Sequence, residues 1–234
     1  MMSRVLFSLL LAVSTVLAAL AHVAHERRQG GDQFLDGIGE TGLVARYVLS
    51  DTAEDASRNQ FHATLAGTGG TFVEDGEFRR ALLLTGDGSH LRLPGQTLEG
   101  EDTISVTGWL FLPTGASGPV FDFGQSASVR FFAVASREGV RASVVLDGTV
   151  RGETPAAPVP ENQWLHLAVV LDPASRTLTT YVDGAVAGRA TGIADSLTRI
   201  VHQSSPEANR FFLGRAQDDG APTLHGRLRD VRIY

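Results

Sequence analysis

Alternation of polar and apolar residues is the clearest pattern in this chain. In residues 164–171 one parity is wholly aliphatic, and the other carries Trp164 and His166. A second alternating run, residues 177–182, follows a break at Asp172-Pro173 and stops at Asp183-Gly184. A period of two residues is typical of a strand with one buried face. The pattern therefore predicts two paired strands whose aliphatic parity packs between two sheets.

Short runs of the same kind recur along most of the chain, and Gly, Pro, Asp and Asn separate them. The predicted strands are 43–49, 60–65, 70–73, 80–84, 90–93, 103–112, 120–123, 130–136, 141–147, 164–171, 177–182, 185–190, 210–213 and 224–233. Only residues 193–201 suggest a short helix. Many short strands between turn residues predict an all-β fold, a two-sheet antiparallel jelly-roll sandwich.

Two Asp-Gly pairs mark the sharpest predicted turns. Asp147-Gly148 and Asp183-Gly184 both lie between β-forming residues. Such a pair favours a two-residue hairpin turn, because glycine adopts a positive φ freely and aspartate does so at little cost. Each pair therefore predicts a β-hairpin.

The N-terminal region has a different composition. A run without charge extends from Val5 to Ala21, after Arg4, and Ala19 and Ala21 are small residues of the kind that signal peptidase recognises. We expect a signal peptide at 1–21, a polar, glycine-containing linker at 22–40 and one domain at 41–234. An uncleaved signal anchor is the alternative, and it provides the only expected membrane contact. Either form predicts a secreted, periplasmic or cell-surface protein.

Composition narrows the class of protein further. The chain has no cysteine, so it has no disulfide framework and its core alone must stabilise it. Its net charge is −6, and all 20 basic residues are arginine. A mildly acidic chain without a basic run is a poor ligand for nucleic acid. We therefore expect no nucleic-acid partner.

Eight short motifs follow one another in a characteristic order: LVARY at 43–47, DASRN at 55–59, RALLL at 80–84, DGSHL at 87–91, ISVTGW at 104–109, WLHLA at 164–168, YVDG at 181–184 and LRDVRIY at 228–234. Together they resemble the LamG-like group of concanavalin A-like lectins and glucanases. The resemblance implies a jelly roll that binds carbohydrate or serves as a spacer or adhesion module. The amino-acid sequence of residues 37–67 also resembles that of the N-terminal module of bacterial six-hairpin glycoside hydrolases of the β-L-arabinofuranosidase type. On that likeness, we expect the chain to be the front end of a longer protein.

Catalytic carboxylates are the first candidates to test, since this superfamily contains glucanases. The nearest approach to a glucanase strand is Glu74-Asp75-Gly76-Glu77. Its spacing places Glu74 and Glu77 on opposite faces of a strand, and the glycine suits a turn. Retaining hydrolysis needs two carboxyl groups about 5 Å apart. We therefore interpret the segment as a solvated hairpin tip and predict no catalytic residue.

A structural calcium ion is the one cofactor that the sequence suggests. Asp51, Asp55 and Asn59 lie in one acidic loop, and calcium prefers such oxygen ligands. The resemblance implies that Asp230, on the final strand, closes the site. Arg229 stands beside it and would repel the metal. A solvated acidic loop is the alternative.

Both tryptophans fall on the less aliphatic parity of their strands, Trp109 on 103–112 and Trp164 on 164–171. With His166 they predict a platform for a polysaccharide or other glycan, because aromatic rings pack against the C–H faces of sugars. The alternative is that loops cover both rings. We expect a non-catalytic carbohydrate-binding or adhesion module, the N-terminal accessory domain of a secreted glycoside hydrolase. A spacer or protein-interaction domain without sugar binding is the second hypothesis, and a jelly-roll hydrolase the third.

Overall fold

The structure is a computed structural model that describes residues 41–202 and 204–234. The predicted signal peptide and linker lie outside the described residues. The strands are β1 (Ala45–Tyr47), β2 (Thr64–Ala66), β3 (Thr71–Asp75), β4 (Arg79–Thr85), β5 (His90–Leu93), β6 (Ile104–Phe111), β7 (Gly118–Ser126), β8 (Val129–Ser136), β9 (Gly139–Leu146), β10 (Thr149–Glu153), β11 (Trp164–Asp172), β12 (Thr177–Val182), β13 (Ala185–Thr191), β14 (Arg210–Leu213) and β15 (His225–Ile233). One short helix, α1 (Leu197–Ile200), and a 3-10 turn, Pro206–Ala208, precede β14.

The strands form two antiparallel sheets, as the all-β prediction requires. Sheet A has the order β13-β12-β11-β6-β15-β4-β3, and β1 pairs with β15 beyond the end of β4. Sheet B has the order β10-β9-β8-β7-β14-β5-β2. The pairing of neighbours is antiparallel throughout the described residues. The two-sheet antiparallel sandwich is therefore confirmed, and Leu43–Tyr234 form one compact unit.

The core lies between the sheets and is built from alternate positions of each strand. On β11 the aliphatic residues at 165, 167, 169 and 171 are at most 4% exposed, whereas Trp164 and His166 are half-buried on the outward face. Sheet B supplies a ring cluster in which Phe121 lies 4.9 Å from Phe123 and 5.0 Å from Phe131 between ring centroids. The predicted inner face of β11 is confirmed.

Both Asp-Gly turns form as the sequence predicts. Asp147 and Gly148, between β9 and β10, have φ angles of 52° and 72°. Asp183 and Gly184, between β12 and β13, have φ angles of 49° and 80°. These left-handed conformations suit the twist of a tight hairpin, which explains the Asp-Gly choice. The segment containing Glu74 and Glu77 is also a hairpin end, between β3 and β4, with both glutamates exposed.

A bulge in β15 shapes the outward face of sheet A. The pairing of β15 with β6 shifts register between Arg229 and Arg232, and Asp230 there has a φ of 46°. Gly108 lies opposite the bulge, where a Cβ atom would come within 3.0 Å of a methyl carbon of Val231. The glycine therefore lets the two strands approach closely. The bulge places Asp230 and Arg232 on the same outward face as Arg229.

Predicted and observed strand limits agree closely for most strands, but β2 covers 64–66 where 60–65 is predicted, and β10 is not among the predicted strands. Strands β5, β12 and β14 have the predicted bounds, whereas β1 covers only three residues of the predicted run 43–49. β7 is longer than predicted because its polar end, Gly124–Ser126, continues the ladder with β8. Among the described residues no helix is long and apolar enough to cross a membrane.

Truncating one inward valine tests the assignment of the core. Val169 is fully buried, whereas Val186 on β13 is 56% exposed. We expect Val169→Ala to lower the free energy of unfolding by about 2 kcal/mol, through lost burial and a small cavity. Val186→Ala, the same chemical change, should cost less than about 0.5 kcal/mol. Urea denaturation measures both, and equal losses would contradict the assigned faces.

Candidate functional site

The outward face of sheet A carries an aromatic cluster at its centre. The register places Trp109 of β6 opposite His166 of β11, and their ring centroids lie 5.2 Å apart. Trp164 lies opposite Phe111, at 5.6 Å. The structure therefore brings together the three residues of the predicted platform. All of these rings are half-buried, so each one keeps an accessible part.

The hairpin between β3 and β4 folds over part of this cluster. Phe78, at its tip, packs 5.2 Å from Trp109 and 5.0 Å from Trp164, measured between ring centroids. The indole N–H of Trp164 donates to the carboxylate of Asp75 at 3.2 Å and 3.3 Å. Trp164 contacts Phe78 and Asp75, and Trp109 contacts Phe78 and His166. The hairpin therefore covers part of both indole rings, which are each half-buried.

Asp75 joins the hairpin to the sheet. It accepts hydrogen bonds from the backbone N–H groups of Glu77 and Phe78 and from the guanidinium of Arg227, the last at 2.8 Å. Burial alone raises the pKa of Asp75, but these hydrogen bonds and that of Trp164 outweigh it and hold the pKa below its ordinary value. The carboxylate is only 3% exposed, so it is a support for the cluster and not the solvated tip residue that the sequence predicted.

Two grooves flank the cluster. The first groove has a volume of about 390 Å³ and is lined by Thr107, Trp109, His166, Asp230, Arg232 and Tyr234. The second groove has a volume of about 690 Å³ and is lined by Ser50, Asp51, Glu74, Asp75, Gly76, Phe78, Arg79, Arg80 and Arg229. Trp109 and His166 thus line the first groove, whereas Trp164 is not among the lining residues of either one.

His166 is neutral at physiological pH. Burial lowers the pKa of His166 most, and Arg232 lowers it further, whereas Asp183 and Asp230 act in the opposite direction. A neutral imidazole has one nitrogen that donates and one that accepts a hydrogen bond. At the rim of a groove, that pair suits a hydroxyl group, which also donates and accepts.

Asp230 carries the negative charge of the first groove. Its carboxylate receives hydrogen bonds from Arg46 Nε at 2.8 Å and from Arg232 Nη2 at 2.7 Å. Burial alone raises the pKa of Asp230, but the hydrogen bonds from Arg232 and then Arg46 outweigh it, so the pKa lies below its ordinary value. The carboxylate is therefore ionised at neutral pH and is held between two cations.

The predicted calcium ligands have protein partners instead. The two oxygens of Asp55 accept four hydrogen bonds, from the backbone of Arg46, Ser57 and Phe61 and from the Ser57 hydroxyl, at 2.7–2.8 Å. Asn59 donates its side-chain amide to the backbone oxygen of Val44 at 2.8 Å. The lone pairs that a cation would need on Asp55 are thus already occupied.

The other two predicted ligands are paired with arginine. Asp51 is exposed and lies 2.9 Å from Arg80, and Asp230 is bound by Arg46 and Arg232. Among residues 41–202 and 204–234, no three His, Cys, Asp or Glu side chains are grouped as metal ligands. Asp51, Asp55, Asn59 and Asp230 therefore do not fit a calcium ion. Arginine guanidinium groups supply the positive charge beside Asp51 and Asp230 that the prediction assigned to a metal ion.

Sheet B contains an acidic site that the sequence analysis did not identify. Asp122 on β7 is fully buried, although it lies on the outward parity of its strand. It accepts hydrogen bonds from Arg130 Nη1 at 3.0 Å and from the backbone of Gln217 at 2.9 Å. Arg130 also reaches Asp218, at 2.7 Å, so the loop after β14 covers this face. The one sequence signal was a single acid within the apolar run 120–123.

Comparison with known proteins identifies the class of protein that this fold and site define. The profile of Laminin_G_3, a family of the concanavalin A-like lectin/glucanase superfamily, matches residues 85–234. This match covers more than half of the chain, so the chain belongs to that family. The predicted relationship is confirmed. A search of curated protein sequences finds no match.

Solved structures with the same fold come from several kinds of protein. Domain 4 of AbnA, a GH43 extracellular arabinanase from Geobacillus stearothermophilus solved with arabinotriose, is 21% identical, with a TM-score of 0.58 over 82% of this chain and 91% of that domain. The botulinum neurotoxin serotype C1 binding domain is 12% identical, with a TM-score of 0.60 over 82% of this chain and 48% of that one. A mutant Trypanosoma rangeli sialidase is 16% identical, with a TM-score of 0.53 over 85% of this chain and 31% of that one. The chain spans about half of the toxin binding domain. At these identities the likeness establishes the fold alone.

Removing the carboxylate of Asp55 tests whether hydrogen bonds hold its loop. We expect Asp55→Ala to lower the free energy of unfolding by about 3 kcal/mol, because several buried N–H groups lose their acceptor. Asp51→Ala removes an exposed carboxylate from the same loop and should cost less than about 0.5 kcal/mol. Thermal unfolding with a calcium chelator should leave the wild-type melting temperature unchanged. A large drop on chelation would contradict the hydrogen-bonded loop as its main support.

Asp122 gives the fold a specific dependence on pH. Burial raises the pKa of Asp122 to about 6, from an ordinary value of 3.8, although Gln217 and Arg130 act to lower it. Protonation therefore favours the folded state. This stabilisation is complete below about pH 3.8 and is lost as the pH rises through about 6.

We therefore expect Asp122→Asn to reduce the pH dependence of stability. Between about pH 7.5 and about pH 5 the wild-type protein should gain about 1 kcal/mol more than the variant. Urea unfolding of both proteins at the two pH values measures this difference. Identical gains would show that Asp122 titrates in the folded protein as it does in the unfolded chain.

Proposed function

We propose that this domain is a non-catalytic carbohydrate-binding or adhesion module of an exported protein, and that the glycan lies in the first groove. The observation that carries the proposal is the composition of this groove. There the Trp109 ring stands beside His166, Thr107, Asp230 and Arg232. A ring next to convergent polar groups suits a sugar, whose C–H face packs on the ring while its hydroxyls form hydrogen bonds.

The polar groups of the first groove supply both kinds of hydrogen-bonding partner. The ionised carboxylate of Asp230 accepts, the guanidinium of Arg232 donates, and the neutral imidazole of His166 does both. These groups are held by contacts within the sheet. Arg46 and Arg232 hold Asp230, and an edge-to-face contact with Trp109 holds His166. A site fixed in this way loses little side-chain entropy when a ligand binds.

Trp164 and Phe78 act in this account as positioning residues. Trp164 packs against Phe78, and Phe78 in turn packs against Trp109. The Asp75 carboxylate fixes Trp164 in turn. The predicted platform of Trp109, Trp164 and His166 thus divides into two contact residues, Trp109 and His166, and one support.

The acids of sheet A support a binding role more than a hydrolytic one. A retaining or inverting hydrolase needs a general acid whose pKa is raised, so that it stays protonated. The pKa values of Asp75 and Asp230 lie below the ordinary value, because arginine and other donors stabilise the carboxylates. Asp122 has a raised pKa, but it is fully buried. A catalytic pair is therefore disfavoured on the described face.

The comparisons support a setting for this module. An arabinanase domain with the same fold was solved with a bound arabinotriose, and the family description joins lectins with glucanases. By analogy with the arabinanase domain, we propose that this chain is the N-terminal accessory domain of a secreted glycoside hydrolase and that the signal peptide at 1–21 directs its export. Binding to an insoluble polymer would raise the effective concentration of an attached enzyme without new chemistry.

One observation favours the second candidate, a spacer or protein-interaction domain. Phe78 and Asp75 fix Trp164, and Phe78 also covers part of Trp109, so the aromatic cluster has a structural role of its own. A folded protein that binds nothing in a broad panel of soluble and insoluble polysaccharides would support this candidate.

Replacing the indole ring that lines the first groove tests the proposed site. We expect Trp109→Ala to weaken the affinity for a bound polysaccharide by about ten-fold or more, through loss of the stacking surface. Phe132→Ala is the control, because Phe132 is a half-buried aromatic residue on the outward face of sheet B. Affinity electrophoresis across the panel measures both variants after their folding has been verified by circular dichroism. Wild-type affinity in Trp109→Ala would contradict this site.

A further inference from the structure

The outward face of sheet A has a local excess of positive charge in a chain whose net charge is −6. Strand β15 presents Arg227, Arg229 and Arg232 on this face, opposite Phe111, Trp109 and Thr107 of β6. Arg46 of β1 lies beside Arg232. Four arginines of an acidic protein thus lie around its aromatic cluster, together with the acids Asp75, Asp183 and Asp230.

Pairing within the sheet leaves part of this charge uncompensated. Arg227 is neutralised by Asp75 at 2.8 Å. Arg46 and Arg232 both donate to the carboxylate of Asp230, and Arg232 also hydrogen-bonds to Tyr234. We call Arg46, Arg229, Asp230 and Arg232 the arginine strip. It contains three guanidinium groups and one carboxylate.

Arg229 is the member of the strip with the least compensation. Its guanidinium donates through Nη1 to the backbone oxygen of Val48, and its Nε is buried without a hydrogen-bond partner. Within the part of the chain that the structure describes, Arg229 forms no ion pair with a carboxylate. Because this Nε is buried, the donors that remain for a ligand are on the Nη atoms, and guanidinium donors are preferred partners for carboxylate and sulfate oxygens.

The arginine strip lies where a ligand of the first groove would meet it. Arg232 and Asp230 line the first groove, and Arg229 lines the second. The second groove is lined by three acids, Asp51, Glu74 and Asp75, and by three arginines, Arg79, Arg80 and Arg229; Asp51 is paired with Arg80, and Asp75 with Arg227 on β15. Arg229 is the register partner of Trp109, and Arg232 that of Thr107, so both arginines lie beside the strand that carries the Trp109 ring.

We infer that the glycan is anionic, a polysaccharide whose acidic groups are bound by Arg229 and Arg232 while a sugar ring packs on Trp109. This inference rests on the proposed function and specifies its ligand class. Carboxylates of uronic acids and sulfate esters present the same chemistry to a guanidinium, so both are included. A neutral glycan has no group that could neutralise the excess positive charge of the arginine strip, whereas the carboxylates or sulfates of an acidic glycan would neutralise it.

The test compares matched polymers. Polygalacturonate supplies carboxylates, dextran sulfate supplies sulfates, and neutral dextran and arabinan supply neither. Binding to the purified protein is measured by isothermal titration calorimetry, from about 20 to about 300 mM NaCl. We expect at least one acidic polymer to bind at least about ten-fold more tightly than the neutral polymers at low salt, and salt to weaken that binding. Which polymer binds identifies the carboxylate or the sulfate.

Variants locate the binding. Arg229→Gln and Arg232→Gln should each weaken binding of the acidic polymer by about ten-fold. Arg92→Gln is the matched control, because Arg92 is an exposed arginine on β5 of sheet B and the change in charge is identical. If a variant does not fold, the salt dependence of the wild-type protein still decides the question of charge.

The outcomes separate this inference from the proposed function. Salt-sensitive binding of an acidic polymer that is lost in the two variants and retained in Arg92→Gln supports both. Binding of neutral polymers with equal or greater affinity overturns the inference and leaves the proposed function in place. Equal weakening by all three substitutions also overturns it, because the effect would then reflect net charge. Binding of no polymer overturns both.

Discussion

Strand β15 is the element on which the rest of sheet A depends. It pairs with β6 along one side, and with β4 and then β1 along the other. Its inward residues Leu228, Val231 and Ile233 belong to the buried core. Its outward residues carry the charges beside the aromatic cluster. Because one strand supplies both faces, the geometry of the grooves is tied to the packing of the core.

The bulge in β15 links these two roles. In a regular strand, side chains point alternately to the two faces of the sheet. The residue after the outward Arg229, which is Asp230, would then point toward the core. The extra residue keeps Val231 inside and places Asp230 outside, where two arginines stabilise its charge. Gly108 provides the space that this arrangement needs. The groove therefore depends on a local irregularity and on the neighbouring glycine that accommodates it.

The hairpin between β3 and β4 determines which part of the aromatic cluster stays open. Phe78 and Asp75 fix Trp164, and Arg227 fixes Asp75 and packs 4.9 Å from the centre of the Phe111 ring. Trp109 contacts Phe78 and His166 and lines the first groove, whereas Trp164 lines neither groove.

Most of the fold can be predicted from the sequence, because a period of two and Asp-Gly turns are local signals. The two faces of β11 follow directly from the alternation between Leu165 and His166. The roles of individual polar residues cannot be predicted in this way. Asp55 has the appearance of a metal ligand in sequence, but four donors from two separate segments occupy its oxygens. Asp122 is buried by a loop that is distant in sequence, and no local pattern reveals that contact.

The most direct test of the central claim uses the two tryptophans as separate probes. The chain contains only Trp109 and Trp164, so an ¹H-¹⁵N spectrum of the labelled protein has two indole N–H signals, which Trp164→Phe assigns. The protein is titrated with a soluble polysaccharide from the panel. We expect the Trp109 signal to shift and saturate while the Trp164 signal moves little. A shift confined to Trp164, or saturating binding that moves neither signal, would contradict a glycan site in the first groove.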